Sequence, residues 1–466
     1  MTLSRDARRW VLTLLLLSGS CGLIYEVLWM KLLTLVIGNT VFSITTVLSA
    51  FMGGLALGSF LAGRLLQRVK NPLRIYAILE AGIGVCALVL PLTIAATTPI
   101  FRFVYQALDP SFYSLGLLRF LVCGSILLVP ATLMGATLPV LCRYFVARRA
   151  DPGWTVGLLY GVNTSGAVLG SLVGGFFLIP TLGTTWTIYV AAFLNLSIAL
   201  GAFLLAKGQI EVGGETGGDS VTQRRPRKRR KATASLEGRR YATSAVMIAI
   251  GLSGLAAMIY QIAWTRVLIL SIGSSVYAFS LILTAFICGL ALGSLVIARF
   301  IDRRGDLVTG LAVTQATIGI AALLSIPVFG KLPVFIVGVV SRYFHSFYQL
   351  LWVELGLVFL LLLVPTFMMG AAVPIATRIC TTDVKRLGRF FGDVYAVNTL
   401  GAIIGAFTAG FLLIPWLGSR NSILVAVAVN LAAAIVIFVL AATLSRARRI
   451  AGALTLIAGA ALEKRR

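Results

Sequence analysis

The chain has 466 residues, of which 59% are hydrophobic and only 12% are charged. Soluble domains carry about a quarter charged residues, so this composition excludes both a water-soluble globular protein and a disordered one. A formal net charge of +25 could indicate nucleic-acid binding, but the Lys and Arg residues lie almost wholly between apolar runs. That distribution is typical of a membrane protein. We therefore expect a lipid bilayer around the chain and no nucleic acid as a partner.

Twelve apolar runs follow along the chain, and each is long enough to cross a bilayer. The first, from Trp10 to about Gly38, is too long for a cleaved signal peptide and is predicted to be a spanning helix. The runs lie near 11–37, 41–66, 75–97, 115–142, 155–180, 184–206, 243–272, 276–300, 308–330, 350–377, 390–415 and 421–443. The sequence predicts an all-α polytopic membrane protein with about twelve transmembrane helices.

The second half of the chain repeats the first at a constant shift of 235 positions. Residues 18–59 and 253–294 are identical at about 19 of 42 aligned positions. The same shift pairs Tyr160-Gly-Val-Asn with Tyr395-Ala-Val-Asn, and Asn195 with Asn430. Such self-similarity indicates a tandem duplication. Because each half has an even number of runs, both halves enter the membrane from the same side, as in major-facilitator-like parallel repeats.

The basic loops predict the orientation of the chain. They alternate with loops poor in charge, and they lie at 67–70, 143–149, 302–304, 378–386 and 446–449. By the positive-inside rule these loops are cytoplasmic, which predicts a multi-pass protein of the cell inner membrane with both termini in the cytoplasm. The other side is predicted to carry short turns and two longer aromatic-rich segments, at 98–114 and 331–349.

Four regions are predicted: a first six-helix repeat at 1–206, a basic cytoplasmic linker at 207–241, a second repeat at 242–445 and an apolar and basic segment at 446–466. The linker contains the run Arg224 to Lys231. It is predicted to be a solvated, disordered connector or, alternatively, a docking site for an acidic partner. The final segment is predicted to be an interfacial helix or an incomplete thirteenth span.

Few residues could support catalysis or metal binding. The six cysteines show no C-x-x-C spacing and are interpreted as buried hydrophobic residues. His345 is the one histidine and is assigned to an external loop. We therefore expect no catalytic residues, no metal site and no cofactor.

Small residues and prolines recur inside the spans. Gly54 and Gly58, with the equivalent Gly289 and Gly293, form small-xxx-small patches that favour close helix packing. Pro130 and Pro139, with the equivalent Pro365 and Pro374, lie within the fourth run of each half. Prolines remove backbone donors, so they are predicted to kink or break these helices.

Ionisable residues within the spans are the strongest indication of a functional site, because each costs several kcal/mol unless it is paired or hydrated. Glu26 and Glu80 lie in the first half, and the 235 shift replaces them with Gln261 and Gln315. We predict that they hold a substrate cation or a proton in an asymmetric cavity. The alternative is structural: Glu26 pairs with Lys31 or Arg119 to neutralise a buried charge.

The full set of candidate residues follows from the repeat. The candidates for substrate or cation binding are Glu26, Glu80, Tyr25, Gln261, Gln315, Tyr260, Asn163 and Asn398. The candidates for charge pairs are Lys31, Arg119, Arg266 and Glu354. Interhelical hydrogen bonds are the alternative interpretation of Asn163 and Asn398.

Three segments resemble a known family. The motif S-G-x-x-x-x-I-Y-E-V-x-W at Ser18–Trp29, F-x-x-G-L-A-L-G-S at Phe51–Ser59 and V-P-A-T-L-M-G-A-T-L-P at Val129–Pro139 resemble the transmembrane part of membrane-bound, fused major-facilitator/spermidine-synthase-like proteins. Members of that family often carry a soluble aminopropyltransferase-like domain, for which no stretch of this sequence has the glycine-rich turn or the acidic pair. Their catalytic residues therefore have no counterparts here. Gly58…Arg64 also looks like a degenerate major-facilitator signature.

Two functions remain open. The resemblance implies a transporter for a polyamine or another small organic cation. The alternative is a non-transporting membrane partner that anchors a separately encoded, soluble synthase-like protein at the cytoplasmic face. An enzyme in its own right is the least supported interpretation, because no reactive constellation is visible.

Overall fold

The computed structural model describes residues 5–38, 40–65, 71–146, 152–213, 234–273, 275–300, 306–343, 347–380 and 387–463, which are almost wholly helical. The helices are α1 Arg5–Ile37, α2 Thr40–Leu65, α3 Pro72–Leu108, α4 Phe112–Val146, α5 Pro152–Val173, α6 Ile179–Gly213, α7 Ala234–Ile272, α8 Val276–Phe300, α9 Leu307–Tyr343, α10 Phe347–Cys380, α11 Leu387–Thr408 and α12 Ile414–Glu463.

The described residues contain ten uninterrupted helical stretches that are long and apolar enough to cross a membrane. Two of them, at 158–207 and 392–439, are 50 and 48 residues long. At 1.5 Å per residue each would be more than twice as long as the hydrocarbon core of a bilayer is thick. Each turns at a glycine with a left-handed backbone, Gly183 (φ 76°) and Gly418 (φ 77°), which an L side chain would strain. The fold therefore has twelve spans, as predicted.

The two halves pack in the same way. In the first half α1 packs on α5, α2 on α4 and α3 on α6, and in the second half α7 packs on α11, α8 on α10 and α9 on α12. The halves meet where α2 contacts α11 and where α5 contacts α8. Exchange of the two halves converts the contact of α2 with α11 into the contact of α8 with α5. The fold therefore has the predicted parallel two-fold relation.

Glycines allow the closest helix contacts within each half. A Cβ atom on Gly54 or Gly58 would overlap atoms of Ala131 and Thr132 of α4. On Gly293 it would overlap Phe367 of α10. The small-xxx-small patches are therefore packing surfaces, as predicted.

Aromatic side chains join the halves at the end of the bundle where α2 begins and α5 ends, which is the predicted outer end. Phe42 lies 4.8 Å from Phe411 and Phe120 lies 5.3 Å from Phe411, measured between ring centroids. Nearer the middle of the bundle, the hydroxyls of Ser171 and Thr284 are 2.7 Å apart. These contacts close the boundary between the halves towards that end.

The prolines of the fourth and tenth spans do not break their helices. α4 and α10 run through them, because spanning helices tolerate proline where neighbouring helices surround it. The alternative, a kink at these prolines, stays a prediction. α3 and α9 extend to Leu108 and Tyr343, so the segments 98–114 and 331–349 are largely helical rather than outside the helices. His345 lies outside the described residues.

Helices extend into both flanks of the predicted linker, since α6 reaches Gly213 and α7 begins at Ala234. Residues 214–233, which include the basic run, lie outside the described residues. The tail continues α12 as far as Glu463, because its Ala, Leu and Arg residues favour helix and no proline interrupts them.

Candidate functional site

α1 is a central helix whose faces are occupied by different neighbours. Ser18 and Tyr25 face α3 and α6 through hydrogen bonds, and the Ser20 hydroxyl donates to the Gly166 carbonyl of α5 at 2.9 Å. Glu26 lies about 100° around the helix from Tyr25. Gly19, seven residues before Glu26 and therefore on nearly the same face, packs against Asn163 of α5, so α5 covers this face two turns before Glu26.

Glu26 is buried but has no partner. Its side chain is 2% exposed, and it forms no hydrogen bond or ion pair with any residue that the structure describes. Gly22 lies one turn earlier on the same face, and no atom of another helix lies within 4 Å of the position of a Cβ on it. No described atom of another helix therefore covers α1 one turn before Glu26.

The proposed charge partners of Glu26 are engaged elsewhere or lie apart from it. Arg119 donates from Nη1 to the Ile37 carbonyl at 2.9 Å, and its guanidinium lies 5.7 Å from the centre of the Phe101 ring. A cation at the C-terminus of α1 is favourable because the last carbonyls of a helix carry partial negative charge. Neither Arg119 nor Lys31 pairs with Glu26, so the structure does not contain the ion pair that the structural alternative requires.

The other two charge candidates do not form pairs either. Glu354, which occupies the position of Arg119 in the second half, is 5% exposed and has no described partner. Arg266, the counterpart of Lys31, is exposed.

Glu80 lies within the first half, away from the boundary. It is fully buried, and its Oε1 accepts from the Ser18 hydroxyl at 2.6 Å while its Oε2 accepts from Asn195 Nδ2 at 2.6 Å. Tyr25 donates to Asn195 Oδ1 at 2.8 Å. This set, the Glu80 network, ties α1, α3 and α6 together. Glu26 takes no part in it.

The second half contains the equivalent residues but only one of the equivalent bonds. Gln315 donates from Nε2 to Ser253 at 3.0 Å, which corresponds to the bond between Ser18 and Glu80 with its direction reversed. The Gln315 Oε1, Asn430 Oδ1 and Tyr260 hydroxyl atoms are buried and have no described hydrogen-bond partner. The repeat thus preserves the residues of the network and the bond to the serine, but not the carboxylate or the described bonds to the asparagine.

Gln261 is placed on α7 as Glu26 is on α1. It is 6% exposed, and its side chain forms no hydrogen bond within the described part of the chain. Asn163 and Asn398 lie elsewhere: they pack against Gly19 and Gly254, where α5 meets α1 and α11 meets α7. Their side chains have no described interhelical hydrogen bond, and their predicted roles stay predictions.

The prediction from sequence did not assign Ser18 and Asn195 to the site, although they supply the two donors to Glu80. The signal was present, because the 235 shift pairs Asn195 with Asn430 and Ser18 with Ser253. Asn and Ser residues that occur at equivalent positions of both halves could therefore have been proposed as hydrogen-bond donors to the buried acid.

Comparison with solved structures matches nearly the whole chain. A bacterial homologue of the iron transporter ferroportin in its inward-facing state gives a TM-score of 0.59 at 12% identity over 94% of this chain and 100% of that one. The same homologue facing outward gives 0.57 at 13% identity over 94% and 99%. A bacterial homologue of the human lysosomal transporter Spinster gives 0.50 at 14% identity over 95% and 98%. The chain has a major-facilitator-like fold. At such low identity the likeness concerns the fold alone, and the protein is transporter-like in architecture.

Sequence comparison gives partial relatives. No family model matches the chain. Polyamine aminopropyltransferase 1 of Streptomyces coelicolor is 29% identical over 181 residues, which are 39% of this chain and 31% of that protein. The polyamine aminopropyltransferase of Mycobacterium tuberculosis is 28% identical over 185 residues, 39% of this chain and 32% of that protein. The match spans about a third of the length of these relatives.

Proposed function

We propose that this protein is a secondary transporter of a small organic cation, the class to which polyamines belong, and that Glu26 binds the positive charge. The observation that carries the proposal is the state of Glu26: a buried carboxyl group without a partner in the described chain, one turn after a glycine that no other described helix contacts. The names of the partial relatives support an organic amine as substrate.

The physical argument concerns the cost of an isolated buried charge. A carboxylate at the centre of a span costs about 2.5–3.5 kcal/mol by insertion measurements. A structural residue would reduce this cost with a permanent partner, as Glu80 does with Ser18 and Asn195. Glu26 has none of these, and a cation or a proton that binds during transport would supply the missing partner.

Uptake by the purified protein in liposomes tests the proposal. Labelled organic cations, spermidine among them, are offered to the wild type and to the Glu26→Gln variant. This variant introduces the residue that the second half already has at the equivalent position, Gln261, so we expect it to fold. Glu354→Gln is the matched control, because it removes another buried carboxyl group that lacks a described partner. We expect Glu26→Gln to abolish uptake and Glu354→Gln to retain it.

Two outcomes contradict the proposal. One is undiminished uptake by folded Glu26→Gln protein, and the other is the absence of uptake of every cation by the wild type. If Glu26→Gln protein does not fold, Glu26→Asp keeps the charge and shortens the side chain, and a changed KM in that variant supports the same role.

The orientation is part of the proposal. The positive charge of the basic loops supports an inner-membrane protein whose termini and linker lie in the cytoplasm. Reporter fusions at the termini test this: activity of a reporter that works only in the cytoplasm is expected at both ends.

A second candidate function is a membrane partner of a separately encoded aminopropyltransferase. It is favoured by the relatives' names and by the two thirds of their length that lie outside the match. Aminopropyltransferase activity that co-purifies with this protein from its native membranes, together with a negative uptake assay, would favour this function over transport.

A further inference from the structure

We propose that Glu26 and Gln261 together recognise one substrate molecule, an organic cation with a single ammonium group and a second, neutral hydrogen-bonding group. The inference rests on the proposed function, since it takes Glu26 as the ammonium site. It adds Gln261 as the residue that determines the charge of the substrate.

Gln261 is buried on α7 without a side-chain partner in the described chain. Ser253 reaches α9 through Gln315, and Trp264 lies 6.5 Å from the Phe286 ring of α8. Gly254, seven residues before Gln261 and on nearly the same face, packs on α11, but Gln261 itself makes none of these contacts. We take the faces of Glu26 and Gln261, which the two-fold relation exchanges, as opposite walls of one site between the halves.

Few carboxyl groups are available at this depth. Glu80 is already hydrogen-bonded inside the first half. Glu354 is the counterpart of Arg119, which contacts Ile37 at the end of α1. From the two-fold relation we expect Glu354 near the end of α7 at Ile272, which is 11 residues from Gln261, or about 16 Å along the helix. Among the described residues, Glu26 is therefore the carboxyl group at mid-span that remains open to a ligand.

This inventory limits the charge that the site can accept. One carboxylate offsets one ammonium group, and a second ammonium beside Gln261 would stay uncompensated in an apolar environment, which is unfavourable. The Gln261 amide can instead donate to and accept from a hydroxyl, a carbonyl or another amide. A singly charged amine with a neutral polar end fits this pair of groups better than a diamine does.

A matched pair of ligands tests the inference. The probes are 4-amino-1-butanol and 1,4-diaminobutane, which have the same chain length and differ in whether the second end is a hydroxyl or an ammonium group. Binding to the full-length purified protein is measured in detergent by equilibrium dialysis with each labelled probe. For the wild type we expect at least tenfold tighter binding of the amino alcohol.

The variant Gln261→Glu creates a second carboxylate at the other end of the site. We expect it to reverse the preference, with the diamine bound at least tenfold more tightly. If Gln261→Glu protein does not fold, Gln261→Leu replaces it and is expected to weaken amino-alcohol binding about tenfold through loss of the amide. Equal binding of the two probes by the wild type, tighter binding of the diamine, or binding of neither would overturn the inference.

The variants also separate this inference from the proposed function. Glu26→Gln should lose binding of both probes. If it does so while substitutions of Gln261 leave the ratio of the two affinities unchanged, the role of Glu26 stands and that of Gln261 falls. If Glu26→Gln binds both probes as the wild type does, the proposed function itself fails.

Discussion

Asn195→Leu tests whether the Glu80 network stabilises the first half. Leucine has the same branching and the same number of side-chain heavy atoms as asparagine but can neither donate nor accept a hydrogen bond. The substitution removes the 2.6 Å bond from Asn195 to Glu80 and the 2.8 Å bond from Tyr25 to Asn195. It therefore takes one donor from a fully buried carboxyl group.

The expected loss of stability follows from these two bonds. A hydrogen bond to a charged group contributes about 1.5–3 kcal/mol and a neutral one about 0.5–1.5 kcal/mol. Interhelical bonds inside membranes average only about 0.6 kcal/mol, because the unfolded helices also find partners in the bilayer. Between these limits we expect Asn195→Leu to lower the free energy of unfolding by about 2 kcal/mol.

Asn430→Leu is the control, since it makes the same change at the equivalent position of the second half. Asn430 Oδ1 has no described partner, and replacing an unpaired buried polar group with an apolar one is nearly neutral. The measurement is reversible unfolding in mixed detergent micelles, followed by circular dichroism. Equal losses of stability in the two variants would refute the argument that the network is intact in one half only.

Two further predictions concern the helix contacts. Gly175→Ala should lower the free energy of unfolding by about 1–3 kcal/mol, because the new Cβ would overlap the Ser280 side chain where the end of the fifth span meets α8. Gly356→Ala, at a position with open space around it, should have little effect in the same unfolding assay. Equal effects of the two substitutions would contradict the packing argument. Arg119→Met should lower the free energy of unfolding by about 1 kcal/mol through loss of the bond to the Ile37 carbonyl. Arg119→Lys should recover part of this stability. A Met variant as stable as the wild type would show that this bond contributes nothing.

The number and order of the spans could be predicted from the sequence because they depend on apolar length and on the 235-residue repeat. These are properties of the chain that the bilayer selects directly. Glu26 could be identified as a candidate for the same reason: a carboxyl group within an apolar run is costly in any helical arrangement. The small residues indicated surfaces for close helix packing, but not which helices pair within each half.

Other features depend on tertiary structure that no single run encodes. Both fifth spans end in a π-helical turn, at Gly174–Leu178 and Ala409–Leu413, and composition does not mark a π-turn. The separation of Glu26 from Glu80 could not be predicted either, because it depends on which face of α1 meets α3 and α6. The prolines of α4 misled for a related reason: neighbouring helices, rather than the local sequence, decide whether a proline breaks a span.

The most direct test of the central claim is protection of Glu26 from a hydrophobic carbodiimide, which reacts with protonated carboxyl groups in apolar surroundings. Wild-type protein in liposomes is treated with and without 4-amino-1-butanol, and labelling of each buried acid is read by mass spectrometry. The account predicts that Glu26 is labelled and that the cation protects it, while labelling of Glu354 does not change with the cation. Labelling of Glu26 that is unaffected by any organic cation would contradict the account.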